Sequence, residues 1–505
     1  IWKAQLGENH IDYAKILNNL ALLYQEMGRF KDAEPFYLQA KDIWKAQLGE
    51  NHPQYALSLN NLAALYYAMG RFTDAEHLLL QAKKITKEQL GENHPQYALS
   101  LHNLAGLYQT MGRFAEAEPL YQQAMVIRKV QLGENHPDYA QSLNNLGTLY
   151  DAMGRFTEAE HLLLQAMEIR KEQLGENHPD YATSLNSLAV LYRKMGRLTE
   201  AEPLFLQAKE IRKAQLGENH LDYASSLNSL AVLYQAMGRF TDAEPLLLQA
   251  REIFKAQLGE NRPDYAASLH NLAELYREMG RFKEAEPLYL QAREIWKEQL
   301  GENHPHYATS LNNLAILYQK MVRFAEAERL YLQAMEIAKA QLGENHPSYA
   351  TSLNNLAVLM VAMNRPQKAL PLMQEAAKIQ NRTIGDILSI SSDRQRLEYL
   401  RQNYWQLEIF LSLVNQYFPH DPAAKQAALD LVLRRKGLAT EAGILLRTLI
   451  VSDRYRHLAP QLDELRQLHH QIAYVTWQVP KSAVGVMECV RCLADVGREG
   501  GEVGQ

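Results

Sequence analysis

Residues 13–54 read YAKILNNLALLYQEMGRFKDAEPFYLQAKDIWKAQLGENHPQ, and the same 42-residue pattern returns eight more times. Tyr13, Tyr55, Tyr97, Tyr139, Tyr181, Tyr223, Tyr265, Tyr307 and Tyr349 mark the units, each followed by Ala and a Leu-rich stretch. A fixed period of this size is the signature of a repeat architecture, so it decides the fold before any local propensity is weighed. In the first unit Leu17, Leu20, Ala21 and Tyr24 fall at i, i+3, i+4 and i+7, one stripe of a helix (helix A). Gly28 interrupts that stripe, and Phe30, Ala33, Tyr37, Ala40 and Ile43 begin a second (helix B). A single helical hairpin buries too little apolar surface to stand alone, so neighbours must stack. A coiled coil is excluded because its seam needs unbroken heptads, and glycine-containing breaks recur here in every unit. The pattern predicts an all-α chain: a right-handed α-solenoid followed by a small helical region.

The punctuation of the repeat is written locally. Thr73 with Glu76, Thr157 with Glu160 and Thr241 with Glu244 have capping-box spacing for the start of helix B. Pro35, Pro119, Pro203, Pro245, Pro287 and Pro371 share one position expected near that start, where proline is least disruptive. The loop Gly49-Glu50-Asn51-His52-Pro53 offers a glycine for a left-handed helix end and a proline for the first turn of the next helix. The loop histidines His10, His52, His94, His136, His178, His220, His304 and His346 are expected to cap helices. Equivalent atoms in stacked helices lie about 8–10 Å apart, too far for ligands that must sit about 2 Å from one zinc ion.

Composition narrows the function. The 505 residues carry 53 basic and 58 acidic side chains, interleaved rather than blocked, which argues against a surface that tracks phosphates. Nucleic acid is not an expected partner. No stretch approaches the about 18 apolar residues of a membrane span, so no membrane insertion is expected. The only cysteines, Cys489 and Cys492, form a lone C-x-x-C without a second pair at metal-site spacing, and a bland tail is the reading. No catalytic residues, metal ligands or cofactor are indicated, and a cytoplasmic location is the default. Ile1–Gly7 copies Ile43–Gly49, so the sequence opens inside a repeat, which suggests an incomplete N-terminus.

These residues resemble the tetratricopeptide repeat, whose signature of apolar, Leu, small, Tyr, then Ala and an aromatic is matched by Leu17, Leu20, Ala21, Tyr24, Ala33 and Tyr37. Leu stands where that family often has Trp, Ala usually replaces the small Gly (Gly147 keeps it), and the period is 42 rather than 34. In this longer form the chain is similar to the repeats of kinesin light chains and their bacterial relatives, to about residue 383. The reading divides the chain into a partial repeat (1–12), nine repeats (13–383), a helical capping or linker region (384–475) and a disordered tail (476–505).

One polar position recurs outside the apolar stripes. It comprises Asn18 and Asn19, Asn60 and Asn61, His102 and Asn103, Asn144 and Asn145, Asn186 and Ser187, Asn228 and Ser229, His270 and Asn271, Asn312 and Asn313, Asn354 and Asn355. These residues either brace neighbouring helices or bind a ligand. The resemblance implies the second: in tetratricopeptide arrays helix A lines a concave groove whose Asn side chains hold a peptide backbone through bidentate amide bonds. Position 22 and its equivalents are mostly small or apolar (Leu22, Ala64, Gly106, Thr148, Val190, Val232, Glu274, Ile316, Val358). Basic residues on this face, Lys15, Arg193, Lys194, Arg277 and Lys320, are scattered, which argues against a clamp for a C-terminal carboxylate. The expected partners are therefore other proteins or peptide segments.

Beyond Asn381 the period fails. Helices are expected over about 392–417, 423–451 and 460–475. Ser392–Leu397 and Val432–Leu438 resemble the segment that joins bacterial tetratricopeptide arrays to CHAT domains, which are caspase-like peptidase modules. The chain contains no matching His-Cys dyad, so no catalytic role passes to Cys489 or Cys492. A truncated or split CHAT peptidase, with this chain as its sensor arm, is one alternative function. A frameshift or early end beyond Val475 would explain the missing module. A structural spacer without a ligand is another alternative.

Overall fold

The computed structural model describes residues 9–389 and 404–433. By their contacts Ile1–Val432 form one unit and Leu433–Gln505 another. The expected helix start at 392, the helix over 460–475, Cys489, Cys492 and the tail all lie outside the described residues. Nine hairpins follow one another. The A helices are α1 (Ile11–Glu26), α3 (Pro53–Ala68), α5 (Pro95–Thr110), α7 (Pro137–Ala152), α9 (Pro179–Lys194), α11 (Leu221–Ala236), α13 (Pro263–Glu278), α15 (Pro305–Lys320) and α17 (Pro347–Ala362). The B helices are α2 (Phe30–Leu48), α4 (Phe72–Leu90), α6 (Phe114–Leu132), α8 (Phe156–Leu174), α10 (Leu198–Leu216), α12 (Phe240–Leu258), α14 (Phe282–Leu300), α16 (Phe324–Leu342) and α18 (Pro366–Ser389). Helix α19 (Tyr404–Tyr417) packs on α18, and residues 422–433 are helical.

Each A helix packs on its own B helix, and each B helix on the next A helix, so one apolar core runs through the stack. The predicted stripes form it: Leu17, Ala21, Ala33, Tyr37, Ala40 and Ile43 are buried in the first unit, as are their equivalents along the chain. Neighbouring A helices also touch directly (α3 on α5, α7 on α9, α9 on α11, α11 on α13, α15 on α17). The stack is therefore narrower on the A side and curves toward it.

Helix ends follow local chemistry, with two departures from expectation. In eight A helices the residue before the first turn is a histidine whose Nδ1 accepts the N–H two residues on, as His52 does from Gln54 at 3.1 Å. Only Arg262 replaces it, without a side-chain cap. A helices end in a reciprocal turn: Arg29 N–H bonds the Tyr24 carbonyl and Gly28 N–H the Gln25 carbonyl, with Gly28 at φ +63°. The capping boxes do not form. Helix α4 starts at Phe72 after Arg71, which makes no side-chain cap, and Thr73 already lies inside the first turn. Glu76, Glu160 and Glu244 instead accept from Arg113, Arg197 and Arg281 of the following repeat, all at 2.8 Å. The shared prolines sit deeper than expected, as sixth residues of B helices, because the helix restarts at Phe30 directly after the Gly28 turn.

Those arginines staple the repeats. Arg71 lies 3.9 Å from the centroid of the Tyr66 ring, bonds Asp74 in its own helix and reaches back to Glu34 at 2.7 Å. The same cross-repeat pair recurs down to Arg365 and Glu328. Hydrogen bonds to the carboxylate of the same helix, and then to that of the preceding repeat, outweigh burial and raise the arginine pKa values, so the guanidinium stays charged.

Curvature brings the chain back onto itself after 236 residues, between five and six repeats. The Arg262 guanidinium donates to the Glu26 carbonyl at 2.8 Å, and His304 and His346 Nε2–H donate to the carbonyls of Ala68 and Thr110 at 3.2 Å. These groups press on the turn glycines. A Cβ at Gly70 would meet the His304 ring at 2.8 Å and Pro305 at 3.0 Å, and one at Gly28 would meet Arg262 at 2.6 Å. Lys31 donates across the same seam to the Glu298 carbonyl at 3.2 Å, and α6 touches α18. Repeats 7–9 thus lie on repeats 1–3.

Candidate functional site

The recurring amide pairs lie on the A helices, and the structure shows what each is joined to. The first member of a pair meets the second member of the next repeat. Asn61 Nδ2 donates to Asn18 Oδ1 at 2.9 Å, Asn103 to Asn60 at 3.4 Å, Asn145 to His102 Nε2 at 2.8 Å, Asn313 to His270 Nε2 at 2.8 Å, and Asn355 to Asn312 at 2.9 Å. These five rungs span repeats 1–4 and 7–9, and there the side chains brace neighbouring helices. Burial keeps His102 and His270 neutral, both depressed to about 4, so their Nε2 remains an acceptor.

The middle of the ladder differs. Ser187 and Ser229 stand where the donor amide would be, and each instead donates its hydroxyl to a carbonyl one turn back in its own helix. Asn144 and Asn186 are left with Oδ1 atoms that are buried and have no hydrogen-bond partner among the described residues; Asn228 Oδ1 is in the same state although Asn271 follows it. A buried unpaired amide oxygen costs about 1–3 kcal/mol, so three on consecutive repeats are a feature to be explained. Sequence comparison within the chain carries the signal: Asn-Ser replaces Asn-Asn only at 186–187 and 228–229.

Around these positions the face is weakly apolar. Thr148, Val190 and Val232 are half-buried on it, while Leu22 and Val358 toward the ends are exposed. Several cations are already engaged: Lys194 binds Asp151 at 2.6 Å, Arg277 binds Glu274 at 2.5 Å and Lys15 binds Asp12 at 2.9 Å. A hollow of about 190 Å³ opens between α3 and α5, where Ala64 and Gly106 are small and Tyr67 stands exposed beside them. Among the described residues no group of His, Cys, Asp and Glu is arranged to hold a metal ion, and no helix is long and apolar enough to cross a membrane.

A family model described as tetratricopeptide repeat matches the chain in overlapping segments, 1–46, 12–88, 56–129, 96–172, 152–214, 180–256, 222–298, 264–339 and 308–382. No curated protein matches. Among solved structures, a Podosopora anserina protein described as a kinesin light chain with nearly identical TPR-like repeats is 34% identical over 41% of this chain and 98% of its own, with a TM-score of 0.35. BtubC (BKLC) from P. vanneervenii is 25% identical over 46% of this chain and 93% of its own, with a TM-score of 0.37. A Rap protein complexed with Competence and Sporulation Factor is 12% identical over 74% of this chain and 99% of its own, with a TM-score of 0.50.

Proposed function

Because the chain belongs to the tetratricopeptide-repeat family, we propose that it is a non-enzymatic scaffold that binds peptide segments of partner proteins on the inner face of its A helices. The observation that carries the reading is the row of unpartnered amide oxygens on Asn144, Asn186 and Asn228. Each needs a donor, and a peptide backbone supplies N–H groups irrespective of side-chain sequence, which these buried oxygens accept once the amides turn outward to the bound segment. In the closed rungs at both ends the amide oxygens are paired, although His102 and His270 each bury an unpartnered Nδ1 there. This narrows the ligand-binding part of the ladder to the central repeats and leaves the remaining pairs, Asn18 to Asn103 and His270 to Asn355, as framework with flanking contacts. The small and apolar residues beside the amides favour an uncharged or weakly charged peptide over one anchored by its carboxylate. The pairing of Lys15, Lys194 and Arg277 with carboxylates on this face argues against nucleic acid as the ligand.

Selection of peptides from a displayed random library on the full chain, followed by affinity measurement, tests this. Replacing Asn144, Asn186 and Asn228 together with Ala removes about 1 kcal/mol per lost bond, an expected weakening of roughly a hundredfold. Unchanged affinity sinks the assignment, and a chain that selects no peptide is a spacer.

A further inference from the structure

The fifteenth residue of each of the first eight B helices lies at a slot between its own A helix and the next one. Read down the chain, the occupants are Trp44, Thr86, Arg128, Arg170, Arg212, Phe254, Trp296 and Ala338. Most are large and planar. Trp296 shows how the slot is built: its Nε1–H donates to the Pro263 carbonyl at 3.2 Å, and its ring lies 5.4 Å from His270 and 5.6 Å from His306. One repeat later the equivalents of those three neighbours are Pro305, Asn312 and Ser348, and all three line an open cavity of about 230 Å³ beside Ala338. The cavity is the place of an absent side chain. An apolar cavity of about 150 Å³ already takes benzene, so this one accommodates an indole.

The slot lies next to the ladder, since Asn312 is both its wall and an acceptor from Asn355. In the second repeat Thr86 also leaves room, but Asn60 turns in and bonds Ser100 at 3.1 Å. No such rescue occurs at Ala338. Arg128, Arg170 and Arg212 fill their slots by bonding Ser142, Ser184 and Ser226 at 2.8–2.9 Å, with Asp138, Asp180 and Asp222 supplying favourable charge on the next A helix. At the vacant slot that aspartate is replaced by Ser348, so a guanidinium would be buried without a nearby carboxylate, a costly arrangement. A neutral ring does not carry that cost.

We infer that the slot beside Ala338 is a docking pocket for an aromatic side chain, indole or phenyl, delivered by a bound partner. It takes from outside the group that Trp44, Phe254 and Trp296 supply from within. The Pro305 carbonyl, the counterpart of the Pro263 carbonyl that accepts from Trp296, accepts the helical N–H of residue 309 and the Thr309 hydroxyl at 3.0 Å, so an indole N–H would take the place of that hydroxyl. The source of the ring, a peptide on the inner face, rests on the function proposed above; the pocket itself does not.

5-Fluoroindole titrated into the full chain and followed by ¹⁹F NMR provides the test. Saturable binding is expected, at least tenfold weaker in Ala338→Trp, which refills the slot as Trp296 does. If that variant fails to fold by circular dichroism, Ala338→Phe serves instead. Trp296→Ala should create a second site and raise the stoichiometry to two. Absence of saturable binding, binding unchanged by the filling variants, or stronger binding of methylguanidinium than of indole would each overturn the inference. Because no peptide is used, failure here leaves the inner-face reading standing, and loss of peptide binding in the asparagine variants leaves the pocket standing.

Discussion

The end repeats and the middle repeats share one sequence pattern and live in different surroundings. Repeats 1–3 are pressed by repeats 7–9, their turn glycines face Arg262, His304 and His346, and their amide ladders are closed. Further along, Gly196 and Gly238 face open space, and Asn144, Asn186 and Asn228 in the middle carry unpaired oxygens. Near-identical units therefore divide the work by position: the ends hold the structure, and the middle keeps free hydrogen-bonding capacity.

The sharpest way to break this division is to place one methyl group at each kind of turn. Gly238→Ala should cost only the left-handed backbone penalty, about 1–2 kcal/mol, because nothing lies within 4 Å. Gly70→Ala adds overpacking against His304 and Pro305, worth about 1–3 kcal/mol more. Denaturant unfolding of both variants checks the difference; equal losses would mean that the seam bears no load.

Acid should loosen the same seam. Burial depresses His304 to about 4 and lowers His346 as well, and both are held neutral by accepting at Nδ1 and donating at Nε2. His306, stacked 5.0 Å from His304, is also lowered. A depressed imidazole contributes fully above its unfolded value near 6.5, where both states are neutral. As pH falls below that value the unfolded chain takes up a proton that the folded chain refuses, and the contribution is lost down to about 4. For His304 the loss is of the order of 3 kcal/mol. Protection factors at Gly70 and Arg71, that is, exchange rates divided by the intrinsic rate at each pH, should fall between pH 6.5 and 4.5, and His304→Asn, which cannot titrate, should flatten that dependence.

A smaller effect sharpens the contrast on the ladder. Ser187→Asn and Ser229→Asn should close two rungs and stabilise by about 1 kcal/mol each, while lowering peptide affinity; a gain in stability with unchanged affinity would separate bracing from binding. The smallest effect concerns the eighth repeat, where Val322 holds φ +62° in place of the usual glycine. Val322→Gly should raise stability by about 1 kcal/mol, seen as a higher melting temperature.

Much of this was legible in the sequence because it is local. The stripe Leu17, Leu20, Ala21, Tyr24 gives helix A, and a histidine before each first turn gives its cap. The capping boxes misled because Thr73 and Glu76 have the right spacing but start two residues too late, and Glu76 instead accepts from Arg113. That staple was present as a signal: Arg and Glu recur at a fixed separation of 37 residues, on the same footing as the asparagines. The open middle of the ladder and the vacant slot also stand in the sequence, at Ser187, Ser229 and Ala338, once equivalent positions are aligned. The seam does not. It depends on a small rotation per repeat accumulated over 236 residues, which no local pattern encodes.

That seam changes the statistical mechanics of the array. In a simple solenoid each repeat feels two neighbours, terminal repeats feel one, and melting begins at the ends. Here the sixth-removed repeat is a third neighbour for repeats 2, 3, 7 and 8 and a second for repeats 1 and 9, so the one-dimensional lattice acquires coupling in a second direction. Such an array should not begin to melt at its ends as a simple solenoid does, and a unit added after the ninth should bind more tightly than one added to a shorter chain.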